Sequence, residues 1–290
     1  WKNKYEKDGY RETINNKIKP NIRPMLASPF NINSLNKKSR AKGIELPCAI
    51  QRKYDGIRCL SYLKNSKVIL ESRTGKKFEN FDLLIKELEI CLKPNFYLDG
   101  ELYSNEIEFE ILSGLIRKLK DKTSKNELSK INKIKYYIYD CFNLDNMDLI
   151  FKERNNILKS ICEKNNFKHI VCVPTYIAKN KKDIIKYHNK FVSEGYEGTI
   201  LRNLNSPYEI KKRSKNLQKY KNDQDDEFKI VGFKEGQGDE KGLVIWECIT
   251  KNNKTFYVRP RGTRENRKKL YLNGDKYIGK LLTVIFQEYT

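Results

Sequence analysis

The chain has 290 residues, of which 38% are hydrophobic, which is enough for one large domain or two unequal domains and excludes a disordered chain. No stretch reaches the ~20 apolar residues of a membrane span, so we expect no membrane partner. Lys and Arg number 59 against 37 Asp and Glu, and the net charge of +22 suits a polyanionic partner. A biased, Lys- and Asn-rich coding composition is the alternative explanation of the charge alone.

The predicted elements follow a polar, Lys-rich lead-in at residues 1–20. A strand-like pattern runs over 48–63 and resumes at 68–72 after a turn at Asn65 and Ser66. Apolar periodicity then predicts helices at 81–92, 152–165 and 181–194, and strands at 96–103, 135–142, 198–203 and 217–221. This mixture predicts an α/β (α+β) domain over the first part of the chain.

The composition changes at residues 222–226, where the sequence reads NDQDD. After this break the pattern indicates short strands only, at 227–233, 243–250, 255–259 and 281–287, separated by Gly- and Asn-rich turns. Such a pattern is typical of a small five-stranded barrel, in which Arg259 and Arg261 would offer phosphate contacts.

Seven cysteines are scattered singly along the chain, without a CxxC pair, and only two histidines are present. This pattern predicts neither a zinc site nor a disulfide framework. It is typical of a protein from a reducing intracellular compartment.

The segment KYDGIR at 53–58 carries the sharpest chemical signal. If it is extended, Lys53 and Asp55 share one face, and Gly56 allows a turn or the close approach of a ligand. Lysine can act as a covalent nucleophile once it has lost its proton. A lone Lys–Asp pair on the surface, without function, is the alternative.

The segment FYLDGEL at 96–102 places Asp99 and Glu101 on one strand face and Leu98 and Leu102 on the other. Two carboxylates that face one way can hold a ribose hydroxyl or a divalent metal. A solvated strand edge is the alternative, although Gly100 in mid-strand makes it less attractive.

Three further segments complete an ordered set. KYYIYDCF at 135–142 offers aromatic rings for stacking on a base, with core packing as the alternative for most of them. EGYEG at 194–198 places another carboxylate between glycines at a helix-to-strand junction. In LQKYK at 217–221, Lys219 and Lys221 alternate, and two like charges side by side repel unless phosphate lies between them.

This set resembles the five ordered motifs of the covalent nucleotidyltransferase superfamily, which contains ATP-dependent DNA ligases, RNA ligases and mRNA capping guanylyltransferases. KYDGIR resembles the first motif, LDGEL the third, YIYD the intermediate aromatic motif, EGYEGTILR the fourth and LQKYK the fifth. The segments PMLA at 24–27 and ESRTG at 71–75, together with Arg58, are similar to DNA ligases. The length is similar to small viral or phage enzymes.

The resemblance implies that Lys53 attacks the α-phosphate of ATP and carries AMP as a phosphoramidate. Gln51 then corresponds to the residue that reads the adenine amino group, and Tyr139 to the ring that stacks on adenine. Glu101 corresponds to the carboxylate that binds the ribose.

The resemblance also implies contacts to phosphate and metal. Metal ligands would come from Asp55, Glu101 and Glu197, for Mg²⁺ or Mn²⁺. Contacts to the AMP phosphate, to the 5′-phosphate of the nick or to other phosphates would come from five basic residues: Arg58, Arg73, Arg213, Lys219 and Lys221.

The resemblance implies an adenylyltransferase domain with an ATP-grasp-like ligase core at residues 1–223 and an all-β OB-fold barrel at 224–290. The partner would be nicked duplex DNA, gripped by a monomer whose barrel swings about a hinge at 222–226. The expected location is intracellular, in the nucleus or cytoplasm of an infected cell if the protein is viral. The sixth motif of the family is not visible before Thr290, so we expect it further along the natural chain.

Three alternatives stay open. An RNA ligase would prefer RNA ends, and a capping guanylyltransferase would use GTP; the PMLA segment and the surroundings of Arg73 are unlike both. An inactive nucleic-acid-binding scaffold would keep the charge and lose Lys53, Glu101 or a lysine of the fifth motif, and all of these are present.

Overall fold

The structure is a computed structural model that describes residues 10–11, 19–20, 22–35, 43–222 and 224–286. The chain folds into two compact units, Trp1–Tyr220 and Lys221–Thr290, and each is described by itself. Nearly all of the expected Lys-rich lead-in at 1–20 lies outside the described residues, as do Asp223 of the predicted hinge and Gln287, the end of the last predicted strand.

The first unit contains two five-stranded sheets and a separate pair of short strands, β1 and β2. The order is β10-β4-β11-β12-β3 in the first sheet and β6-β5-β7-β8-β9 in the second. Pairing is antiparallel in both sheets except between β12 and β3 and between β8 and β9, which run parallel. The strands are β1 (Tyr10–Arg11), β2 (Lys19–Pro20), β3 (Leu26–Pro29), β4 (Cys48–Lys53), β5 (Ile57–Lys64), β6 (Lys67–Ser72), β7 (Phe96–Tyr103), β8 (Lys135–Asn143), β9 (Ile170–Cys172), β10 (Tyr176–Ala178), β11 (Gly198–Asn203) and β12 (Arg213–Tyr220).

Five described α-helices accompany these sheets: α1 (Asp82–Cys91), α2 (Phe109–Ile116), α3 (Lys125–Ile131), α4 (Phe151–Lys164) and α5 (Lys181–Ser193). Local signals explain several of their ends. Ser124 caps α3 in a capping box with Glu127, and the Asn180 side chain accepts the Asp183 N–H at the start of α5. Single 3₁₀ turns lie at Ile32–Ser34 and Lys120–Lys122.

Three apolar clusters hold the first unit together. One lies between the second sheet and its helices, and includes Leu88, Leu98 and Leu102. Another contains Ile50 and Phe191, on β4 and α5. The third brings together residues of both sheets, which pack here face to face: Met25, Leu60, Tyr97, Phe142, Tyr208 and Leu217.

The second unit is a four-stranded antiparallel sheet in the order β15-β14-β13-β16. Its strands are β13 (Gln224–Glu235), β14 (Val244–Ile249), β15 (Thr255–Val258) and β16 (Leu281–Phe286), with helix α6 (Arg264–Leu272) and 3₁₀ turns at Gly238–Glu240 and Gly274–Tyr277. Its core contains Phe228, Ile230, Val244 and Trp246.

This second unit corrects the expectation of strands alone. Residues 264–272 form a helix, and the described strands make an open four-stranded sheet where a closed five-stranded barrel was expected. Arg267 of α6 is only 2% exposed and pairs at 2.5 Å with Glu240, which is half-buried, and this ion pair fixes a helix whose apolar periodicity is weak. Residues 224–226 of the predicted hinge belong to β13.

The cysteine expectation is wrong for one pair. Cys162 and Cys172 form a disulfide, with 6.3 Å between their Cα atoms. Helix α4 packs on β9 and brings together two cysteines that sequence spacing alone does not pair. Among the described residues, no helix is both long and apolar enough to cross a membrane.

Candidate active site

The KYDGIR segment connects the two sheets of the first unit. Strand β4 of the first sheet ends at Lys53, and β5 of the second sheet begins at Ile57, so the three residues between them form the crossing turn. A Cβ atom on Gly56 would lie 2.5 Å from the carbonyl oxygen of Leu102, which explains the glycine at this turn. Asp55 is exposed in the turn. Asp55 therefore lies in the turn beyond the end of β4 and not on the strand itself.

Lys53 forms an ion pair with Glu197, through Nζ and Oε2. The two residues are also joined by their backbones, because the Glu197 N–H donates to the Lys53 carbonyl oxygen at 3.2 Å. Next to this bond, β4 and β11 pair Lys53 with Gly198. Both side chains are partly buried, so the ammonium group and the carboxylate are held together at the adjoining ends of two strands.

Arg58 is bound to Asp99 through two hydrogen bonds. Nε donates to Oδ1 at 2.9 Å and a terminal nitrogen donates to Oδ2 at 2.5 Å, a bidentate geometry that fixes the guanidinium plane. Asp99 is fully buried and also accepts the Tyr208 hydroxyl hydrogen at 2.7 Å. Tyr208 in turn accepts the Met25 N–H at 3.0 Å, which ties the PMLA segment to this network.

Glu101 lies two residues beyond Asp99 on β7 and accepts the Tyr139 hydroxyl hydrogen at 3.2 Å. Burial raises the pKa of the Glu101 carboxyl to about 7, although the neighbouring Arg58 and Lys53 charges oppose the shift. Desolvation penalises the ionised carboxylate more than these two cations stabilise it. Glu101 therefore takes up a proton near neutral pH.

A β-bulge in β8 turns two consecutive side chains toward the same group. The register with β7 shifts between Asp99 and Gly100, which leaves Tyr139 as the extra residue. As a result, Tyr139 and the next residue, Asp140, both lie against Arg202: the ring centroid is 5.4 Å from the guanidinium carbon, and Asp140 Oδ2 accepts a hydrogen bond at 2.6 Å. The sequence predicted simple alternation here.

Sequence reasoning missed a buried ionic network behind these residues. Asp140 is fully buried and accepts from Arg154 Nε at 2.8 Å as well as from Arg202. Arg202 also donates from Nε to Gln51 Oε1 at 2.9 Å. Arg202 is the last residue of the segment EGYEGTILR. It follows Gly198 by four residues on one strand, so both lie on the same face of the sheet, and this was the signal that the sequence offered.

Gln51 lies within this network, and both of its side-chain amide hydrogens are in hydrogen bonds to other residues of the protein. Nε2 donates to Thr175 Oγ1 at 2.9 Å and to the Tyr139 carbonyl oxygen at 3.2 Å. Thr175, between β9 and β10, was not singled out from the sequence.

Four tyrosine rings pack around the crossing turn. Tyr54 lies 5.3 Å from Tyr103, 4.6 Å from Tyr137 and 5.2 Å from Tyr196, measured between ring centroids. Burial raises the pKa of the Tyr54 hydroxyl, with smaller effects from the neighbouring tyrosines. The rings anchor the turn to β7, β8 and the residues just before β11; Tyr54 is buried and the other three rings are half-buried. Only Tyr137 belongs to the segment 135–142, for which core packing was the alternative to stacking on a base.

The structure brings six of the predicted residues together at the facing ends of β4, β5, β7, β8 and β11: Gln51, Lys53, Arg58, Glu101, Tyr139 and Glu197. Lys219 pairs with Ile200 across β12 and β11 and therefore shares the sheet face of Ile200.

Of the other predicted residues, Arg73 and Arg213 are exposed, and Lys221 belongs to the second unit. Arg73 is exposed in the turn after β6 and makes no hydrogen bond or ion pair with the described residues. Arg213 is exposed and donates to the Ala27 carbonyl oxygen at 2.7 Å. Lys221 is buried but belongs to the second unit.

The predicted metal ligands do not form a complete cage. Within the described part of the chain, no group of three or more His, Cys, Asp or Glu side chains could hold a metal ion. Glu197 is paired with Lys53, Glu101 is bonded to Tyr139, and Asp55 lies in the exposed turn. Mg²⁺ commonly binds through one or two carboxylates and completes its coordination with water and substrate phosphate oxygens, and this donor set fits that mode.

A family model described as the ATP dependent DNA ligase domain matches residues 24–221. The chain is 32% identical over 249 residues to the DNA ligase of an African swine fever virus isolate from a South African tick. The alignment covers 83% of this chain and 56% of the viral protein, so the chain spans about half the length of the curated relatives it matches.

Solved structures show the same fold. The structure called Pmar-Lig_PreS3 matches with a TM-score of 0.72 and 22% identity, over 93% of this chain and 63% of that chain. The ATP-dependent DNA ligase from bacteriophage T7 in complex with ATP matches with a TM-score of 0.58 and 18% identity, over 92% and 94% of the two chains.

Proposed function

This chain belongs to the ATP-dependent DNA ligase family, and from that premise we propose that it seals nicks in duplex DNA through a covalent AMP on Lys53. The observation that carries the proposal is the position of Lys53. Its ammonium group contacts the Glu197 carboxylate at the crossing between the two sheets, close to Glu101 and Arg58. A nucleophile beside carboxylates and a cation suits reaction with a nucleotide phosphate.

The first step joins Lys53 to AMP. The Lys53 amine attacks the α-phosphorus of ATP, a nitrogen–phosphorus bond forms, and the bond from phosphorus to the bridging oxygen of pyrophosphate breaks. The ammonium group must first lose a proton, and the Glu197 carboxylate is the group in contact that can accept it. Glu101 and Tyr139 would hold the ribose and the adenine, as the family resemblance implies.

The second and third steps act on the nick. The 5′-phosphate attacks the phosphorus of the Lys53-bound AMP and releases the amine. The 3′-hydroxyl then attacks the activated 5′-phosphate, forms the phosphodiester bond and releases AMP. Arg58, Arg73 and Arg213 would neutralise phosphate charge during these steps, with the fifth-motif lysines Lys219 and Lys221. Positioning and charge neutralisation are the main contributions a protein makes to phosphoryl transfer.

A divalent cation, Mg²⁺ or Mn²⁺, would be held by Glu197 with Asp55, and its chemistry is the neutralisation of developing phosphate charge. Glu101 contributes less readily to such a site, because its raised pKa favours the protonated form near neutral pH.

We assign adenylylation to residues 1–223, and we assign DNA binding to residues 224–290 as an OB-fold domain. The antiparallel sheet of the second unit supports an OB-type assignment: β13 is 12 residues long, pairs with both β14 and β16, and has a register shift between Ile230 and Gly232. The excess of Lys and Arg is consistent with a partner that carries phosphates, and the proposed partner is nicked DNA bound by one copy of the chain.

The proposal is tested with a labelled duplex that contains one 5′-phosphorylated nick, incubated with the protein, ATP and Mg²⁺. We expect sealing of the DNA nick, and none when Lys53 is replaced by alanine. Preferential sealing of RNA ends would identify an RNA ligase instead. Covalent labelling from GTP alone would identify a capping-type enzyme, and DNA binding without covalent chemistry would identify an inactive scaffold.

A further inference from the structure

Gln51 lies on β4, two residues before Lys53, and its side chain is only 1% exposed. Its Nε2 hydrogens go to Thr175 Oγ1 and to the Tyr139 carbonyl oxygen, while its Oε1 accepts from Arg202 Nε at 2.9 Å. A side-chain amide has two donor hydrogens and an oxygen with two lone pairs. The remaining hydrogen-bonding capacity of Gln51 is therefore one acceptor lone pair.

The three partners also fix which end of the amide lies where. Arg202 Nε can only donate, and the Tyr139 carbonyl oxygen can only accept. Turning the amide over would place its NH₂ group against the Arg202 N–H and its oxygen against the carbonyl. Thr175 supports the same orientation, because its hydroxyl hydrogen goes to Asn155 Oδ1 at 2.9 Å and leaves its oxygen to accept from Gln51.

Arg202 is itself fixed. Its terminal nitrogen donates to Asp140 Oδ2 at 2.6 Å, and its side chain is only 4% exposed. Asp140 is held from the other side by Arg154, through bonds of 2.8 and 3.2 Å. Arg202 cannot turn away from Gln51 without breaking a buried, charge-assisted hydrogen bond, which is among the stronger interactions in a protein.

We propose that Arg202 and Thr175 are positioning residues that hold the Gln51 amide as an acceptor toward the purine and thereby select adenine over guanine nucleotides. The inference rests on the proposed function, because it places Gln51 beside the purine of the nucleotide that reacts with Lys53. The 6-amino group of adenine can donate to the remaining lone pair of Gln51. Guanine presents a carbonyl oxygen at the same position, where two acceptors repel and a buried polar group is left unpaired.

The test compares the rates at which the protein is covalently labelled from ATP and from GTP, each carrying label in the α-phosphate, with Mg²⁺ present. Thr175→Ala removes one of the two acceptors that hold the Gln51 NH₂ group, which weakens the restraint on the amide orientation and lets it turn more often to donate to guanine. We expect the ATP:GTP rate ratio to fall by roughly fivefold, the effect of one net hydrogen bond. Arg202→Met should lower the ratio in the same direction, because it releases the amide oxygen.

Arg154→Lys is the matched control, since Arg154 shares Asp140 with Arg202 and does not contact Gln51. It should change both rates together and leave their ratio as in the wild type. Thermal melts establish which variants fold, and Thr175→Ala, which removes no charge, carries the test if Arg202→Met does not fold. If the wild type is labelled from ATP and the folded variants keep the wild-type ATP:GTP rate ratio, the inference about Arg202 and Thr175 is overturned, while the proposed function stands. A wild type labelled from neither nucleotide overturns the proposed function and this inference with it.

Discussion

Lys53 and Glu197 are joined twice, by an ion pair between their side chains and by a backbone hydrogen bond of 3.2 Å from the Glu197 N–H to the Lys53 carbonyl oxygen. The backbone bond means that the two side chains leave adjoining strand ends at a fixed spacing. The carboxylate that partners the lysine is therefore part of the framework that positions it. The same contact gives Glu197 two proposed tasks, as the acceptor of the lysine proton and as a metal ligand.

Replacing Glu197 by glutamine removes the charge and the proton acceptor while keeping the shape. We expect the rate of covalent labelling from ATP to fall by about 10²-fold or more, the usual contribution of a positioned general base. The rate is measured from the first turnover of labelled protein. Glu194→Gln is the matched control, because Glu194 pairs with Arg52 and is only three residues away. Equal rates in Glu197→Gln and Glu194→Gln would contradict the role of Glu197.

The raised pKa of Glu101, about 7 against an ordinary value of 4.5, makes stability depend on pH. The folded protein binds this proton more tightly than the unfolded chain, so the stabilisation is complete below about pH 4.5 and is lost as the pH rises through 7. Glu101→Gln stays uncharged, and its melting temperature relative to the wild type should therefore be higher at pH 8 than at pH 5.

The control for this pH effect is Glu127→Gln. Its partners Lys118 and Ser124 lower the Glu127 pKa to about 2, so its contribution is present above pH 4.5 and is lost only as the pH falls toward 2. The melting-temperature difference of Glu127→Gln should stay constant between pH 5 and pH 8. A Glu101→Gln difference that is equally constant over this range would rule out the predicted titration.

A methyl group at Gly56 tests the crossing turn. A Cβ there would lie 2.5 Å from the Leu102 carbonyl oxygen and 2.9 Å from the Glu101 side chain, so β5 must move away from β7. We expect Gly56→Ala to slow covalent labelling and to lower the melting temperature. Gly114→Ala has open space around its new atom, lies within α2, and should be neutral or stabilising by up to about 1 kcal/mol. Similar activity in both variants would show that the turn tolerates displacement.

Removal of Arg154 tests the buried ionic network. Arg154→Met leaves the fully buried Asp140 with only one of its two arginine partners, and breaking a buried pair in this way typically costs about 3–5 kcal/mol. The free energy of unfolding, measured with urea, should fall by an amount in that range. Lys120→Met breaks an exposed pair with Asp82 and should change the same quantity by less than about 0.5 kcal/mol. A loss for Arg154→Met no larger than this would contradict a structural role for the network.

Hydrophobic periodicity was sufficient to predict those strands and helices that have one apolar face. The strands predicted at 96–103 and 198–203 match β7 and β11 at both ends, and the turn at Asn65 and Ser66 is present, with φ angles of 49° and 59°. Helices α2 and α3, the short strands β9 and β10, and helix α6 were missed. The short strands β9 and β10 have three residues each, and α6 is fixed by the ion pair between buried Arg267 and half-buried Glu240. These strands and α6 therefore present too little apolar periodicity to be predicted.

The residues of the candidate site also divide into those that the sequence predicted and those that it did not. The residues that contact one another at the strand ends, including Lys53 and Glu197, were available from ordered motifs. The contacts of Arg202 and Thr175 were not, although Arg202 ends one of these motifs, because they depend on long-range strand pairing and on the bulge at Tyr139, which reverses the facing expected from alternation. A pattern in one sequence does not encode such a shift in register.

The most direct test of the account is the mass of the intact protein after incubation with ATP and Mg²⁺, followed by mapping of the modified peptide. We expect the wild-type protein to gain the mass of one AMP, located on Lys53, and the Lys53→Ala variant to gain none. AMP on a different residue, or no gain in mass from the wild type, would contradict the assignment of Lys53 as the nucleophile.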